Sequence, residues 1–407
     1  MSEDYDVLVV GAGPGGSTTA ALLAEGGFRV LLVDKEVSPR QKVCGDGIAP
    51  RAVHSLRLLG VEGELEGRFR RTSGMRFYST RGGVTEVRYP MGSRYPDHGF
   101  VVPRAELDAI LLGRARESGA EIMEGCLVRG LLPPEGGRFP GVVAERQGER
   151  LEIRARYIVG ADGSDSRLGR ELGLLRKDPL YLGVAVRCYM KGVEGISDFL
   201  EIYPEDAISP ACGWIFPVDE ETANVGVGFM LYARRWPRGG VRLNLNRLLE
   251  TFITGTRHAA RKLAGARPVG RPRGGMLRTG LGGAFPVRDN VILVGDAASM
   301  VNPISGEGIT YALESGRWAA ETLASALRRG EPGLLSLYPR ILELRYGRYF
   351  RQGTLAIRYF NRPSCVNPLI FATSRCAPLG EKMGRFLMNC RRRESPFGQA
   401  AGRYGRA

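Results

Sequence analysis

The first apolar run, Tyr5-Asp-Val-Leu-Val-Val10, has no polar alternate positions from Val7 onward and stops at a glycine. That pattern predicts a strand buried on both faces, as in a parallel sheet. Gly11-Ala-Gly13-Pro14-Gly15-Gly16 follows, then the helical stretch STTAALLAEGG and a second apolar run, FRVLLVD, closing on Asp34. Residues 5–34 therefore read as strand, glycine-rich turn, helix, strand. Further along, Phe100-Val-Val-Pro predicts a short strand running into an amphipathic helix. Arg156–Asp162 and Asn290–Gly295 read as strands ending in acidic glycine turns, and ITYALESGRWAAETLASAL as a long helix. Between them, YLGVAVRCYMKG, DFLEIYP, CGWIFPV and ANVGVGFML predict an antiparallel sheet over 180–232. A basic helical region at about 241–265 and a strand-like return to 283 follow.

The opening unit carries chemistry. Its glycines permit a tight turn, close backbone approach to a pyrophosphate and close packing of helix on strand. The helix start offers free N–H groups and a positive dipole end to phosphates. Asp34, 18 residues past Gly16, can accept from both ribose hydroxyls. This much fits FAD or NAD equally. Two later segments decide for FAD: Gly160-Ala-Asp162-Gly163 and Gly295-Asp296-Ala-Ala, the latter leading to Asn302-Pro303-Ile-Ser-Gly306-Glu-Gly308. An acid at the carboxyl end of a strand can hold a ribityl hydroxyl. The glycines of a helix start let N–H groups reach the carbonyl edge of a flavin, where the dipole favours negative charge.

The ordered trio GxGxxG, ADG and GDAA…NPxxGEG resembles the flavoprotein superfamily of the aromatic hydroxylases. The resemblance implies an α/β fold (α+β overall), with a Rossmann-type FAD-binding domain assembled from 1–75, 100–172 and 284–330. An antiparallel-sheet substrate domain would occupy 76–99 and 173–283, and a basic helical region 331–407. It sets the cofactor against Gly11, Gly13, Pro14, Gly15, Gly16, Asp34 and Lys35. Cys44, Gly45, Arg104, Val128, Asp162 and Gly163 would touch it, as would Gly295, Asp296, Pro303, Gly306, Gly308 and Ile309.

Composition narrows the class. Hydrophobic content of 43% with 57 Gly and 24 Pro fits a globular protein rich in turns. No stretch reaches the roughly 18 uncharged apolar residues of a spanning helix. Seven scattered cysteines with no C-x-x-C pair argue against a metal site or a disulfide framework, and for a cytoplasmic protein. Of the net charge of +15, most falls from Arg328 onward, where 16 Lys and Arg face four Glu. Arg345–Arg351 and Arg385–Arg393 interleave Arg with Phe, Tyr, Leu and Met. A solvated helical face accounts for this, and so does a surface resting on anionic lipid at the inner face of the membrane. No nucleic-acid motif accompanies the charge.

Cys44-Gly45-Asp46-Gly47, with Gly213-Trp214-Ile215-Phe216-Pro217 shortly before Val225-Gly226-Val-Gly228, separates this chain from the hydroxylases. Together these segments resemble the geranylgeranyl reductase family, whose members hydrogenate isolated double bonds of isoprenoid chains. The likeness runs from Asp6 to about Leu327. The forms CGDGIAPRAV, GWIFP and NPISGEGI are most similar to the bacterial menaquinone reductases within it. It implies hydride transfer from flavin N5 with a proton delivered to the other carbon, in a dry apolar site. Cys44, Gly45, Asp46 and Gly306 would lie at the reacting centre. Trp214, Ile215 and Phe216 would line a lipid tunnel together with Cys212, Pro217, Gly226 and Gly228. The family usually has an aromatic where this chain has Cys212, and often a proline where it has Val43, so the lipid wall should differ in shape. Cys44 is a candidate proton donor or gate. An aromatic hydroxylase shares the cofactor motifs without CGDG and GWIFP. A halogenase would want a second tryptophan at Cys212 and a catalytic lysine. With no second dinucleotide fingerprint, the flavin would be reduced by transiently bound NAD(P)H or by a protein donor.

Overall fold

The computed structural model describes residues 4–80, 83–91, 93–176, 178–231, 244–360 and 363–389. Strand Tyr5–Val10 lies at the centre of an eight-stranded sheet, parallel to Val30–Asp34 on one side and to Glu149–Gly160 on the other. Val291–Leu293 and Glu121–Glu124 extend it in parallel, and Val287–Arg288 closes one edge antiparallel. Gly141–Arg146 and Cys126–Leu131 hang antiparallel from Glu149–Gly160. Helix Pro14–Glu25 is buried along most of its length, because Ile309–Arg329 crosses over it. Small residues permit that crossing: a Cβ on Gly316 would stand 2.4 Å from the Gly15 carbonyl oxygen. Thr19 Oγ1 instead donates to that Gly316 carbonyl at 3.1 Å.

The second layer is a seven-stranded sheet in the order Arg267–Arg278, Leu182–Lys191, Thr222–Met230, Cys212–Pro217, Phe199–Tyr203, Gly74–Tyr78, Val84–Arg88. Its pairings are antiparallel except Phe199–Tyr203 with Gly74–Tyr78, which is parallel. The sheet thus takes in strands from the chain's first quarter, beginning at Gly74, inside the segment 1–75 that the sequence assigned to the cofactor part. Helices Leu245–Gly255 and Ala259–Leu263 cover one face, burying Leu249, Phe252 and Leu263. Gly213 has no Cβ because Phe252 occupies that space, 2.3 Å away. The opposite face looks toward the eight-stranded sheet. A small three-stranded sheet, Gly47–Ile48, Gly99–Val101 and Arg70–Thr72, joins the two layers.

The C-terminal helices are fastened by a buried ion pair. Arg51 holds Glu314 in a bidentate grip (Nη2–Oε2 2.6 Å, Nε–Oε1 3.2 Å) and donates to the Asn389 carbonyl at 3.1 Å. Tyr95, Tyr311 and Tyr346 surround the guanidinium, and the Tyr346 hydroxyl donates to Glu314 at 2.7 Å. Tyr346, Tyr349 and Phe350 are buried, so the aromatics of Arg345–Arg351 serve the core, whereas Phe386 beside Arg385 is 40% exposed. Arg391–Arg393 and the rest of the basic tail lie outside the described residues.

Removing one partner of such a pair leaves an uncompensated buried charge, at a cost of about 3–5 kcal/mol. Glu314→Leu should lose about that much stability in a urea titration, and Arg51→Met/Glu314→Leu should recover most of it. A double variant no more stable than the single one would show the pair to be unimportant.

Candidate active site

Three glycine-rich strand ends open on one side of the eight-stranded sheet. A cavity of about 750 Å³ lies between them and the bare face of the seven-stranded sheet. Gly11 is at φ 108°, and a Cβ there would stand 2.4 Å from the Ala161 carbonyl oxygen. Gly13, Pro14 and Gly15 line the cavity, and no side chain caps the helix they start. Its first N–H groups are therefore free for an anion. Gly16 does not line it, being packed against the Gly11 carbonyl. Asp34 Oδ2 accepts from Ala12 N at 2.6 Å and Oδ1 from Glu36 N at 2.9 Å, so the acid also organises its own turn. Lys35 is an exposed rim residue, and Val128 a buried wall residue.

Asp162 Oδ2 accepts from the N–H groups of Arg167 and Leu168 at 2.7 and 3.2 Å. Its Oδ1 is buried with no partner among the described residues, an acceptor that a ribityl hydroxyl would satisfy. Burial outweighs its hydrogen bonds and pushes the carboxyl up. Gly163, Gly295, Asp296, Gly306, Gly308 and Ile309 all line the cavity. A side chain on Gly306 would project into open space. Gly308 starts helix Ile309–Arg329 with no side-chain cap, a second dipole end facing the cavity. Pro303 is turned away, against Gly353. These residues fit FAD: two uncapped helix starts, an orphaned acceptor and glycines placed where side chains would intrude.

The Cys44 loop stands between cradle and sheet. Asp46 N donates to Cys44 Sγ at 3.2 Å, and Asp46 sits in the left-handed region at φ 64°. Burial pushes the Cys44 thiol up, against the Arg104 guanidinium beside it. Arg104 is itself buried and bidentate with Asp108 at 2.9 Å, so it braces Cys44 as well as lining the cradle. Gly45 and Gly47 make their close approaches to the sheet above, where added Cβ atoms would lie 2.9 Å from Phe216 and 3.2 Å from Leu200.

On strand Cys212–Pro217 the twofold period sends Cys212, Trp214 and Phe216 to the cavity. Ile215 and Pro217 point to the opposite face, so they are not wall residues as the sequence suggested; Ile215 is in the core under the helices. Gly226 is also off the wall, since the Trp214 ring fills the space above it, 2.2 Å from an added Cβ. Gly228 is on the wall. Burial pushes the Cys212 thiol up to about 12, which makes it an inert apolar wall residue.

The sequence reading missed Arg40, Lys42, Asp108, Tyr189, Asn224 and Glu307. Arg40 pairs with Asp108 at 3.2 Å and Asp34 at 3.7 Å, and Lys42 with Asp296 at 3.6 Å. Glu307 lines the cavity with its carboxyl pushed up by burial. Asn224, fully buried, donates to the Cys44 carbonyl at 2.8 Å and Asp46 Oδ2 at 2.7 Å, and accepts from Trp214 Nε1 at 3.0 Å. An amide inside the otherwise apolar run Ala223–Met230 was the available signal.

Residues 4–185 match the family model described as FAD binding domain, and the chain is a flavoprotein. It is 36% identical over 358 residues to the menaquinone reductase of Mycolicibacterium smegmatis, covering 86% of this chain and 83% of that one. It is 33% identical to digeranylgeranylglycerophospholipid reductase 2 of Methanopyrus kandleri, covering 89% and 88%. A solved geranylgeranyl bacteriochlorophyll reductase-like protein from Thermoplasma acidophilum superposes with a TM-score of 0.81 at 25% identity, covering 91% and 92%. The chain belongs to the geranylgeranyl reductase family, menaquinone reductases included.

A thiol raised by burial carries less thiolate near neutrality than a free one, and the thiolate is the form that alkylates. Iodoacetamide labelling of Cys44, followed by peptide mass spectrometry, should accelerate only above the ordinary thiol range of about 8.5. A midpoint below that value would mean an activated nucleophile.

Proposed function

We propose that the protein is an FAD-dependent reductase that saturates carbon–carbon double bonds of an isoprenoid chain. The tail of a menaquinone is the first candidate substrate and a geranylgeranyl lipid the second. The supporting observation is the wall opposite the cofactor cradle: Met75, Phe77, Leu200, Ile202, Trp214, Phe216 and Met230 form an apolar surface with the Cys44 loop set against it. Such a wall suits a hydrocarbon chain and excludes water from the reacting bond.

Reduced FAD, when bound, supplies the hydride. The chain's own residues supply the rest. Cys44 holds a proton at Sγ, where burial keeps it near neutral pH. Protonating an unactivated alkene builds positive charge on carbon, which the faces of Trp214 and Phe216 can stabilise. Cys212, its thiol pushed up by burial, stays protonated and does not attack that carbon. The uncapped start of Ile309–Arg329 favours negative charge beside it.

Among the described residues no helix is long and apolar enough to cross a membrane. We place the protein on the inner face of the membrane that holds its substrate. Leu344 and Leu355 are 86% and 53% exposed, with Arg348, Arg351 and Arg358 exposed on the same segment. An apolar tip ringed by arginine suits an anionic lipid surface. Truncation is a poor test of this contact if it removes Leu387 and Met388, which line the cavity.

Mixing pre-reduced enzyme anaerobically with a prenylated menaquinone should reoxidise the flavin and add two hydrogens to the quinone. Cys44→Ser should slow this by roughly 100-fold with flavin content unchanged. No reoxidation without oxygen, together with oxygen-dependent hydroxylation of an aromatic, would refute the reductase reading. Leu344→Glu/Leu355→Glu should weaken binding to anionic vesicles at least tenfold, by about 1.4 kcal/mol or more, and unchanged binding would remove this face from the membrane contact.

A further inference from the structure

The Asp46 carboxyl is fully buried, yet only one of its oxygens is bonded. Oδ2 accepts from the Tyr189 hydroxyl at 2.6 Å and from Asn224 Nδ2 at 2.7 Å. Oδ1 has no partner among the described residues, although Asp46 lines the cavity beside Cys44. A carboxylate with one oxygen buried and bare is costly. A proton on that oxygen removes the charge and leaves Oδ2 as the carbonyl-type acceptor that its two donors require.

The charged neighbours are few. Arg187 lies over the Tyr189 ring at 4.3 Å and donates to the Lys42 carbonyl at 3.2 Å. Arg104 faces Cys44, and the Lys42 ammonium is turned to Asp296. Both arginines favour the carboxylate, and so do the bonds from Tyr189 and Asn224, but burial outweighs them and the carboxyl is raised. The Tyr189 hydroxyl, raised by burial, keeps its own proton and acts only as a donor.

We propose that Asp46 is held as the neutral acid, with its proton on Oδ1, and that it restores the Cys44 thiol after each turnover. The step rests on the reductase reading. The Cys44 S–H bond breaks as the new C–H bond forms. Because Oδ1 makes no direct bond to Sγ, a water in the cavity that both residues line carries the proton. It gives one to Sγ as S–H re-forms and takes one as the Asp46 Oδ1–H bond breaks, and solvent reprotonates the carboxylate when product leaves. The relay moves protons alone; the electron pair of the reduction travels with the hydride. Asp46 thus acts through Cys44, and its clamp by Tyr189 and Asn224 fixes which oxygen carries the proton.

Asp46→Asn is the decisive variant, because asparagine tolerates the left-handed backbone and keeps an acceptor for Tyr189. Infrared spectra near neutral pH should show a protonated-carboxyl absorption in the wild type that moves in D2O and is missing in Asp46→Asn. Its absence from the wild type overturns the proposal, whatever the activity. With menaquinone, Asp46→Asn should complete the first turnover at the wild-type rate and then run roughly 100-fold slower; unimpaired multiple turnover overturns it. A wild type that leaves menaquinone unreduced defeats the reductase reading instead, and the infrared result still decides the protonation of Asp46. If Asp46→Asn does not fold, Tyr189→Phe serves. Losing a bond that favours the carboxylate should move the alkaline limb of the pH–rate profile upward, and an unmoved limb contradicts the relay.

Discussion

Asn224 is the joint on which the site depends. Its side chain spends every hydrogen bond it makes on one junction: the Trp214 indole on the sheet, and the Cys44 carbonyl and Asp46 carboxyl on the loop. The loop leaves strand Val30–Asp34, a cofactor strand, but the Cys44 carbonyl and Asp46 Oδ2 take their hydrogen bonds from the opposite layer. Buried polar groups impose this kind of order because each unsatisfied one is costly. The thiol, the acid and the aromatic wall therefore hold one arrangement, whatever mobility the substrate needs elsewhere.

The cradle below obeys a different constraint, close approach. Gly15 and Gly316 let two helices cross with their backbones in contact, and Gly11 lets the first turn fold onto Ala161. That packing brings the starts of Pro14–Glu25 and Ile309–Arg329 to one cavity, although nearly 300 residues separate them. The buried Arg51–Glu314 pair then ties the C-terminal helices to the same helix. Leu387 and Met388 reach the cavity as a result. Fold and chemistry meet because elements distant in sequence share one hollow.

The cofactor half was legible in the sequence because its chemistry is local: glycines and acids at fixed offsets around strand ends. The sheet was legible as alternation, and the same parity rule already implied that Pro217 faces away from Trp214 and Phe216. Gly226 could not be assigned this way, since its role follows from the register Trp214↔Gly226 across two strands. Gly45 was expected against the cofactor, whereas Phe216 takes the room its missing side chain leaves, as Leu200 does at Gly47. Tyr189–Asp46, Asn224–Cys44 and Arg51–Glu314 join residues more than 140 apart. No local pattern announces such contacts. Only a polar residue inside an apolar strand, as at Asn224, hints at one.

The reaction assigned to this site leaves a mark on its host that does not depend on reconstituting the electron donor. Mass spectrometry of quinones and membrane lipids should be run with the gene intact, deleted and restored. The account expects one isoprenoid species to lose its partly saturated form on deletion, gaining unsaturation in steps of two hydrogens, and to regain it on restoration. A quinone and lipid profile identical in all three strains would contradict it.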